Sequence, residues 1–203
     1  MTDWHAWHDA YDRPGSTLTQ RLAHVRDQIR SALDALPPGP LSVISVCAGQ
    51  GRDLIGALDG HPRAGDVQAL LVELDERNAA IAREHAPGGV TVLTGDAGLT
   101  DVYAGRAPAH LLLMCGVFGN ISDADIKRTI AFCAQLCRED GFVIWTRHRE
   151  APDAVPWIST EFEEAGFEEI WLSEPGFITG VGVHRLRRPA LALQAGERMF
   201  TFV

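Results

Sequence analysis

Residues 41–51, Leu-Ser-Val-Ile-Ser-Val-Cys-Ala-Gly-Gln-Gly, constrain the fold more than any other stretch of the chain. A short β-branched apolar run stops at a glycine-rich turn and passes straight into a helical pattern through Leu54, Ile55 and Leu58, which reads as strand, tight turn and helix. The unit recurs: Ala69 to Val72 precedes a helical stretch over 76–86, and His110 to Cys115 precedes one over 122–137, where Ile126, Ile130, Cys133 and Cys137 share a face. Ser122 with Asp125 three residues on is a helix-start pattern, the hydroxyl and carboxylate covering amides that the first turn leaves unpaired. Shorter apolar runs at Gly89 to Leu93 and Phe142 to Thr146 are consistent with buried strands, and Pro156 to Ala165 with Gly166 behind it predicts a further helix. The final strands fall at Glu169 to Leu172 and Val181 to Leu186, with Met199 to Val203 as another candidate, so the last strand stays open between 181–187 and 199–203. Apolar strands alternating with helices predict an α/β protein, a three-layer αβα sandwich whose mostly parallel sheet is covered on both faces. In such sheets ligands bind beyond the carboxyl ends of the strands.

Ahead of this pattern, Leu18, Leu22, Val25, Ile29, Leu33 and Leu36 recur at intervals of three and four, an apolar helical stripe ended by Pro37-Pro38-Gly39-Pro40. The expected division is a helical extension over residues 1–40 and a main domain over 41–203. A chain of 203 residues normally closes around a single core, which agrees with one domain and a small appendage.

Charge narrows the partners. With 27 acidic against 18 basic residues, the net charge of −9 disfavours duplex nucleic acid and leaves a small molecule or a protein as the better expectation. Four cysteines without a C-x-x-C pair form neither a zinc framework nor a disulfide scaffold, and His5 and His8 lack a third metal ligand in register. With no apolar run of membrane-spanning length and no basic-then-apolar leader, the expectation is a cytoplasmic, reduced protein that spans no membrane.

Gly49-Gln50-Gly51 lies where a glycine pair lets backbone amides approach a ligand closely, and Glu73 closes the second strand about 22 residues later, where an acid can accept both ribose hydroxyls. The pair together points to an adenosine cofactor. A dinucleotide fingerprint needs a third small residue, but that position is Leu54, and no G-x-x-x-x-G-K-[ST] stretch is present.

These residues resemble the class I S-adenosylmethionine-dependent methyltransferases. Val46 to Asp53 is similar to the family's first motif, Leu71-Val72-Glu73-Leu74-Asp75 to the second and Gly95-Asp96-Ala97 to the third, in order across about residues 41–187. The resemblance implies a Rossmann-like fold with a seven-stranded sheet, an S-adenosylmethionine cofactor and transfer of its methyl group. It implies cofactor contacts from Cys47, Ala48, Gly49, Gln50 and Gly51, ribose contacts from Glu73 with Leu74 beside it, and adenine contacts from Asp96 and Ala97. Cys115 and Gly116, ending the fourth strand, would lie beneath the sulfonium. Two departures stand out: Cys47 replaces the usual opening acid, and Asp53 replaces a third glycine, either to contact the cofactor's methionine end or to cap the following helix. N-terminal extensions in this family often close over the cofactor as a lid, a role open to the helical face of Trp4, Trp7 or His8, and Tyr11; the other reading is that these aromatics cover core.

On the acceptor side, Asn120 in Cys115-Gly116-Val117-Phe118-Gly119-Asn120-Ile121 could point an amide at a substrate, with Phe118 and Tyr11 as apolar contacts. The loop lacks the N/D-P-P-Y/F form of enzymes that methylate exocyclic base nitrogens. Arg147-His148-Arg149 after the fifth strand offers two cations and a titratable imidazole, suited to a small anionic acceptor with His148 as base; alternatively these charges pair with Glu150, Asp153 or the acids of 161–164. The sequence therefore predicts methyl transfer to a small molecule. An RNA or protein methyltransferase, a nicotinamide oxidoreductase and a non-catalytic nucleoside-binding protein are the alternatives.

Overall fold

A computed structural model describes Tyr11 and residues 15–203 of the chain. Helix α1 (Thr17–Ala35) leads into β1 (Leu41–Val46), α2 (Arg52–Leu58), β2 (Val67–Glu73), α3 (Glu76–His85) and β3 (Val90–Thr94). The second half runs β4 (Ala109–Met114), α4 (Asp123–Leu136), β5 (Cys137–His148), α5 (Val155–Glu164), β6 (Phe167–Leu172) and β7 (Thr179–Leu186). The seven strands form one sheet in the order β3-β2-β1-β4-β5-β7-β6, parallel throughout except for β7, which is antiparallel to both β5 and β6.

Successive side chains of a strand face opposite ways, and this parity builds two apolar layers. Leu41, Val43, Ala69, Leu71, Leu111, Leu113, Phe142 and Ile144 pack on one side with α1 and α2. Ile44, Val46, Leu70, Val72, Leu112, Met114, Val143 and Trp145 pack on the other with α4 and α5. The residues of α1 expected to belong to an extension thus contribute to a layer of the sandwich, burying Val25, Ile29, Ala32 and Leu33. Arginines fasten this helix from the polar side: Arg26 donates to Arg52 O at 2.9 and 2.6 Å, and Arg30 to Ala57 O at 3.1 Å and Gly56 O at 3.0 Å. These bonds satisfy carbonyls of the short helix α2.

The helix caps follow the sequence in part. Ser16 accepts from Thr19 N at 3.1 Å, and Ser122 from Asp125 N at 3.2 Å. The reciprocal half of the second cap is replaced, because the Asp125 carboxylate is held by Arg128 at 2.9 Å and by Thr201 N at 3.2 Å. Strand β5 begins at Cys137, five residues earlier than the apolar run at Phe142 suggests, with Cys137 paired to Ala109 before the register shifts.

Residues 199–203 form no strand of the sheet, a correction to one of the two sequence-based placements; β7 is the last strand. The segment after β7 instead crosses back over the carboxyl end of the sheet. Leu191 N donates to Ala134 O at 3.0 Å and Met199 N to Gly98 O at 2.8 Å, and isolated bridges join Leu99 to Arg198 and Ile121 to Phe202. No helix among the described residues is long and apolar enough to cross a membrane.

Candidate active site

Strand order reverses between β1 and β4, and beyond their carboxyl ends lies a cleft of about 1520 Å³. A reversal of this kind leaves a crevice because the connections on its two sides lead away in opposite directions.

The turn after β1 shapes one wall. Cys47, Gly49 and Gly51 hold positive φ angles of 52°, 56° and 68°, and Ala48 N donates to Val72 O at 2.9 Å, binding the turn to β2. Gly51 caps α2 in the left-handed region, where a Cβ would stand 2.8 Å from both Ile55 Cδ1 and Leu71 Cδ2. Only glycine fits there without displacement. Glu73 ends β2 almost buried, and its two oxygens accept from Gly49 N and Asp75 N, each at 2.8 Å. Burial raises its pKa, opposed by those two amides. Leu74 is exposed beside it, an uncovered apolar surface on the cleft.

Of the cofactor contacts expected from the sequence, Cys47, Ala48, Gly49, Asp53, Glu73, Leu74, Asp96, Ala97, Cys115 and Gly116 all line the cleft. Gln50 and Gly51 lie behind the wall. Gln50 donates to Asn78 Oδ1 at 3.2 Å and accepts from Arg52 Nε at 2.8 Å, so both support the turn from beneath.

Asp53 accepts from Leu54 N at 2.7 Å, which is the helix-start reading, and it also faces the cleft. Burial raises its pKa, while the Leu54 amide and Arg21 pull it down. Burial pushes the Cys115 thiol well above the ordinary range, with Asp53 adding to the effect. The sulfur on the cleft floor is therefore a neutral thiol, a poor nucleophile. Tyr11 stands at the mouth, its hydroxyl accepting from Arg21, with the guanidinium carbons of Arg21 and Arg52 at 5.7 and 5.6 Å from the ring centre. Trp4, Trp7 and His8 lie outside the described residues.

The acceptor-side residues separate. Arg147 and His148 line the cleft, with Asn120. Arg147 donates to Phe118 O at 2.7 Å, its Nε is buried without a partner, and among the described residues no carboxylate pairs with it. His148 Nδ1 lies 3.0 Å from Ile178 O; a carbonyl only accepts, so Nδ1 carries the proton and Nε2 is left facing Glu150 at 3.6 Å. The side-chain nitrogen of Asn120 donates to Gly116 O at 2.7 Å, closing its own loop. Two residues do not reach the cleft. Phe118 is fully buried against Trp145 and Phe162, and Arg149 turns away to Asp153 and Ser173 O.

Sequence reasoning missed Asn78 and the C-terminal segment. Asn78 is 1% exposed, lines the cleft near Glu73, and its side-chain nitrogen has no partner among the described residues. A polar amide among Ala79 and Ala82 on the buried face of α3 is the signal that could have found it. Arg198, Phe200, Thr201, Phe202 and Val203 line the far wall, through pairings that no local pattern announces.

No protein-family model and no curated protein sequence matches the chain. Solved structures do match. The chain is similar to an O-methyltransferase family protein from Burkholderia thailandensis, with a TM-score of 0.70 at 17% identity over 96% of this chain, and it spans 60% of that protein's length. It is also similar to a 1,6-didemethyltoxoflavin N1-methyltransferase from the same organism, with a TM-score of 0.68 at 15% identity over 91% of this chain and 84% of the other. A third is the magnesium protoporphyrin IX methyltransferase of Synechocystis PCC 6803, with a TM-score of 0.65 at 16% identity over 91% of each chain. The chain has the Rossmann-like α/β fold of the class I S-adenosylmethionine-dependent methyltransferases.

Proposed function

We propose that the chain binds S-adenosylmethionine and transfers its methyl group to a small, anionic molecule. The observation that carries this reading is the convergence, in one cleft, of the glycine turn, the Glu73 carboxylate, the exposed Leu74 and the Asn78 side-chain nitrogen, which has no partner among the described residues. The residues present fit the cofactor. An almost buried carboxylate keeps lone pairs for ribose hydroxyls, the orphan amide supplies a donor to an oxygen of the same sugar, and Leu74 offers an apolar surface to the base. Asp96 and Ala97 stand at the adenine end, and Ala48 and Gly49 at the methionine end.

The bound group would supply a methyl on a sulfonium, open to in-line displacement. The protein's part is alignment and exclusion of water, and the neutral Cys115 thiol does not compete as a nucleophile. Arg147, which makes no salt bridge among the described residues, favours an acceptor bearing a carboxylate or phosphate. His148 Nε2 can hold the acceptor's proton, and Asn120 stiffens the loop between these groups. Two structural neighbours, the toxoflavin and the porphyrin methyltransferases, are named for small-molecule acceptors, which supports the substrate class. Leu54, wholly buried on the inner face of α2, occupies the position where a dinucleotide site needs a small residue, which weighs against a nicotinamide enzyme.

Calorimetric titration with S-adenosylhomocysteine and with NAD tests the reading. Binding of the former alone is expected; binding of NAD alone would overturn it. A screen of labelled methyl transfer to carboxylated and phosphorylated acceptors then identifies the substrate.

A further inference from the structure

Residues 197–203 belong to no strand or helix of the sandwich, and Arg198 and 200–203 line one wall of the cleft beside Asp96. This strap is firmly seated: Met199 and Phe200 are buried, Thr100 N donates to Glu197 O and Glu197 N to Thr100 Oγ1, each at 3.0 Å, and Val203 N donates to Asn120 O at 2.9 Å. The loop after β3 is shaped to receive it, since a Cβ on Gly98 would stand 2.6 Å from Phe200 O. From this strap Arg198 reaches back to Asp96. Its Nη1 stands 3.0 Å from Asp96 Oδ2, while Oδ1 accepts from Gly98 N at 2.9 Å. A carboxylate offers about four acceptor sites, so about two remain after these contacts. Both partners are partly exposed and both line the cleft.

Resting on the cofactor reading, we propose that Arg198 is a positioning residue that orients Asp96 toward the exocyclic amine of adenine, making the strap the segment that sets base preference. The ion pair and the Gly98 amide fix the carboxylate from two sides, so its remaining lone pairs point one way. An amine at the 6-position donates to them, whereas a 6-oxo base presents a second acceptor and is repelled.

The test measures the affinity of the full chain for S-adenosylhomocysteine and for S-inosylhomocysteine, whose base carries oxygen in place of the amine. The wild type is expected to prefer the adenine compound by about tenfold or more, and Arg198→Ala to lose most of that preference and to weaken S-adenosylhomocysteine by about tenfold. Arg198→Lys, which keeps the charge, is expected to retain the preference. An unchanged ratio in Arg198→Ala, or a gain in affinity showing that the guanidinium obstructs Asp96, overturns the proposal. If Arg198→Ala does not fold, Arg198→Gln replaces it: loss of the ratio there with retention in Arg198→Lys supports the proposal, and retention in both overturns it. A wild type that binds neither compound refutes the cofactor reading itself, an outcome separate from these.

Discussion

The Glu73 carboxylate accepts from the Gly49 amide at 2.8 Å, joining the end of β2 to the turn after β1. The same carboxylate is the candidate ribose acceptor, so under the proposed function one side chain would both hold the turn and contact the ligand.

Replacing it should therefore weaken the ligand. Glu73→Ala is expected to reduce S-adenosylhomocysteine binding by more than about 1 kcal/mol, the scale of a hydrogen bond to a charged group. The pH dependence has a definite sign. Burial raises the Glu73 pKa, so acidification neutralises it above the ordinary glutamate range. Affinity should fall as pH drops through that range, while the free fold gains stability from the same protonation. Calorimetry across pH in wild type and variant checks both, and equal affinity in the variant removes Glu73 from the site.

The Asn78 side-chain nitrogen has no partner among the described residues, where burial makes an unmade bond costly. A ligand that accepts from it relieves that cost, so Asn78→Leu should lower affinity for S-adenosylhomocysteine severalfold, with a fall in thermal stability as well because Gln50 Nε2 loses its acceptor. A variant with unchanged affinity would show the amide serves only Gln50.

Gly51 tests the turn itself. A methyl group there meets Ile55 and Leu71 and forces an L-residue to a φ of 68°. Gly51→Ala should cost about 1–3 kcal/mol in urea denaturation. A loss near zero would mean the turn can shift.

The strands β1, β2, β4 and β5 were legible because each is a short, nearly continuous apolar run bounded by turn residues, a local signal, and the glycine turn with Glu73 was legible because its spacing is set by one strand and one helix. The direction of a side chain just beyond a strand was not. Phe118 and Arg149 each sit one or two positions from a cleft residue, yet one turns into the core against Trp145 and Phe162 and the other to Asp153, partners set by distant elements that no local pattern encodes. The strap was hidden for another reason: Met199 meets Gly98 and Phe202 meets Ile121 through pairings about 80 to 100 positions apart, which leave no periodic trace.

On the acceptor side, Arg147 and His148 should separate kinetically. His148→Ala is expected to lower kcat with cofactor affinity unchanged, whereas Arg147→Gln should raise the KM of an anionic acceptor about tenfold or more. Steady-state kinetics with labelled cofactor distinguish them, and normal turnover in His148→Ala would count against its role as base.

His184 gives a prediction independent of any ligand. It is wholly buried, stacked on Phe162 at 4.8 Å, and its Nδ1 accepts from Trp145 Nε1 at 3.1 Å. Nε2 then carries the proton and donates to Ser159 Oγ at 3.1 Å, whose own hydroxyl donates to Glu169. Burial lowers the imidazole pKa to about 4 from an ordinary 6.5. The folded state thus refuses a proton that the unfolded chain takes up, and stability falls as pH drops from about 6.5 toward 4. This group alone should make the protein about 2 kcal/mol less stable at pH 5 than at pH 7. The raised pKa values of Glu73 and Asp53 act in the opposite direction, so the comparison must be made against a variant. His184→Gln keeps a donor and an acceptor but does not titrate, and urea denaturation at the two pH values should show it losing less stability on acidification than wild type. An identical loss in both proteins would mean that His184 accepts its proton without unfolding.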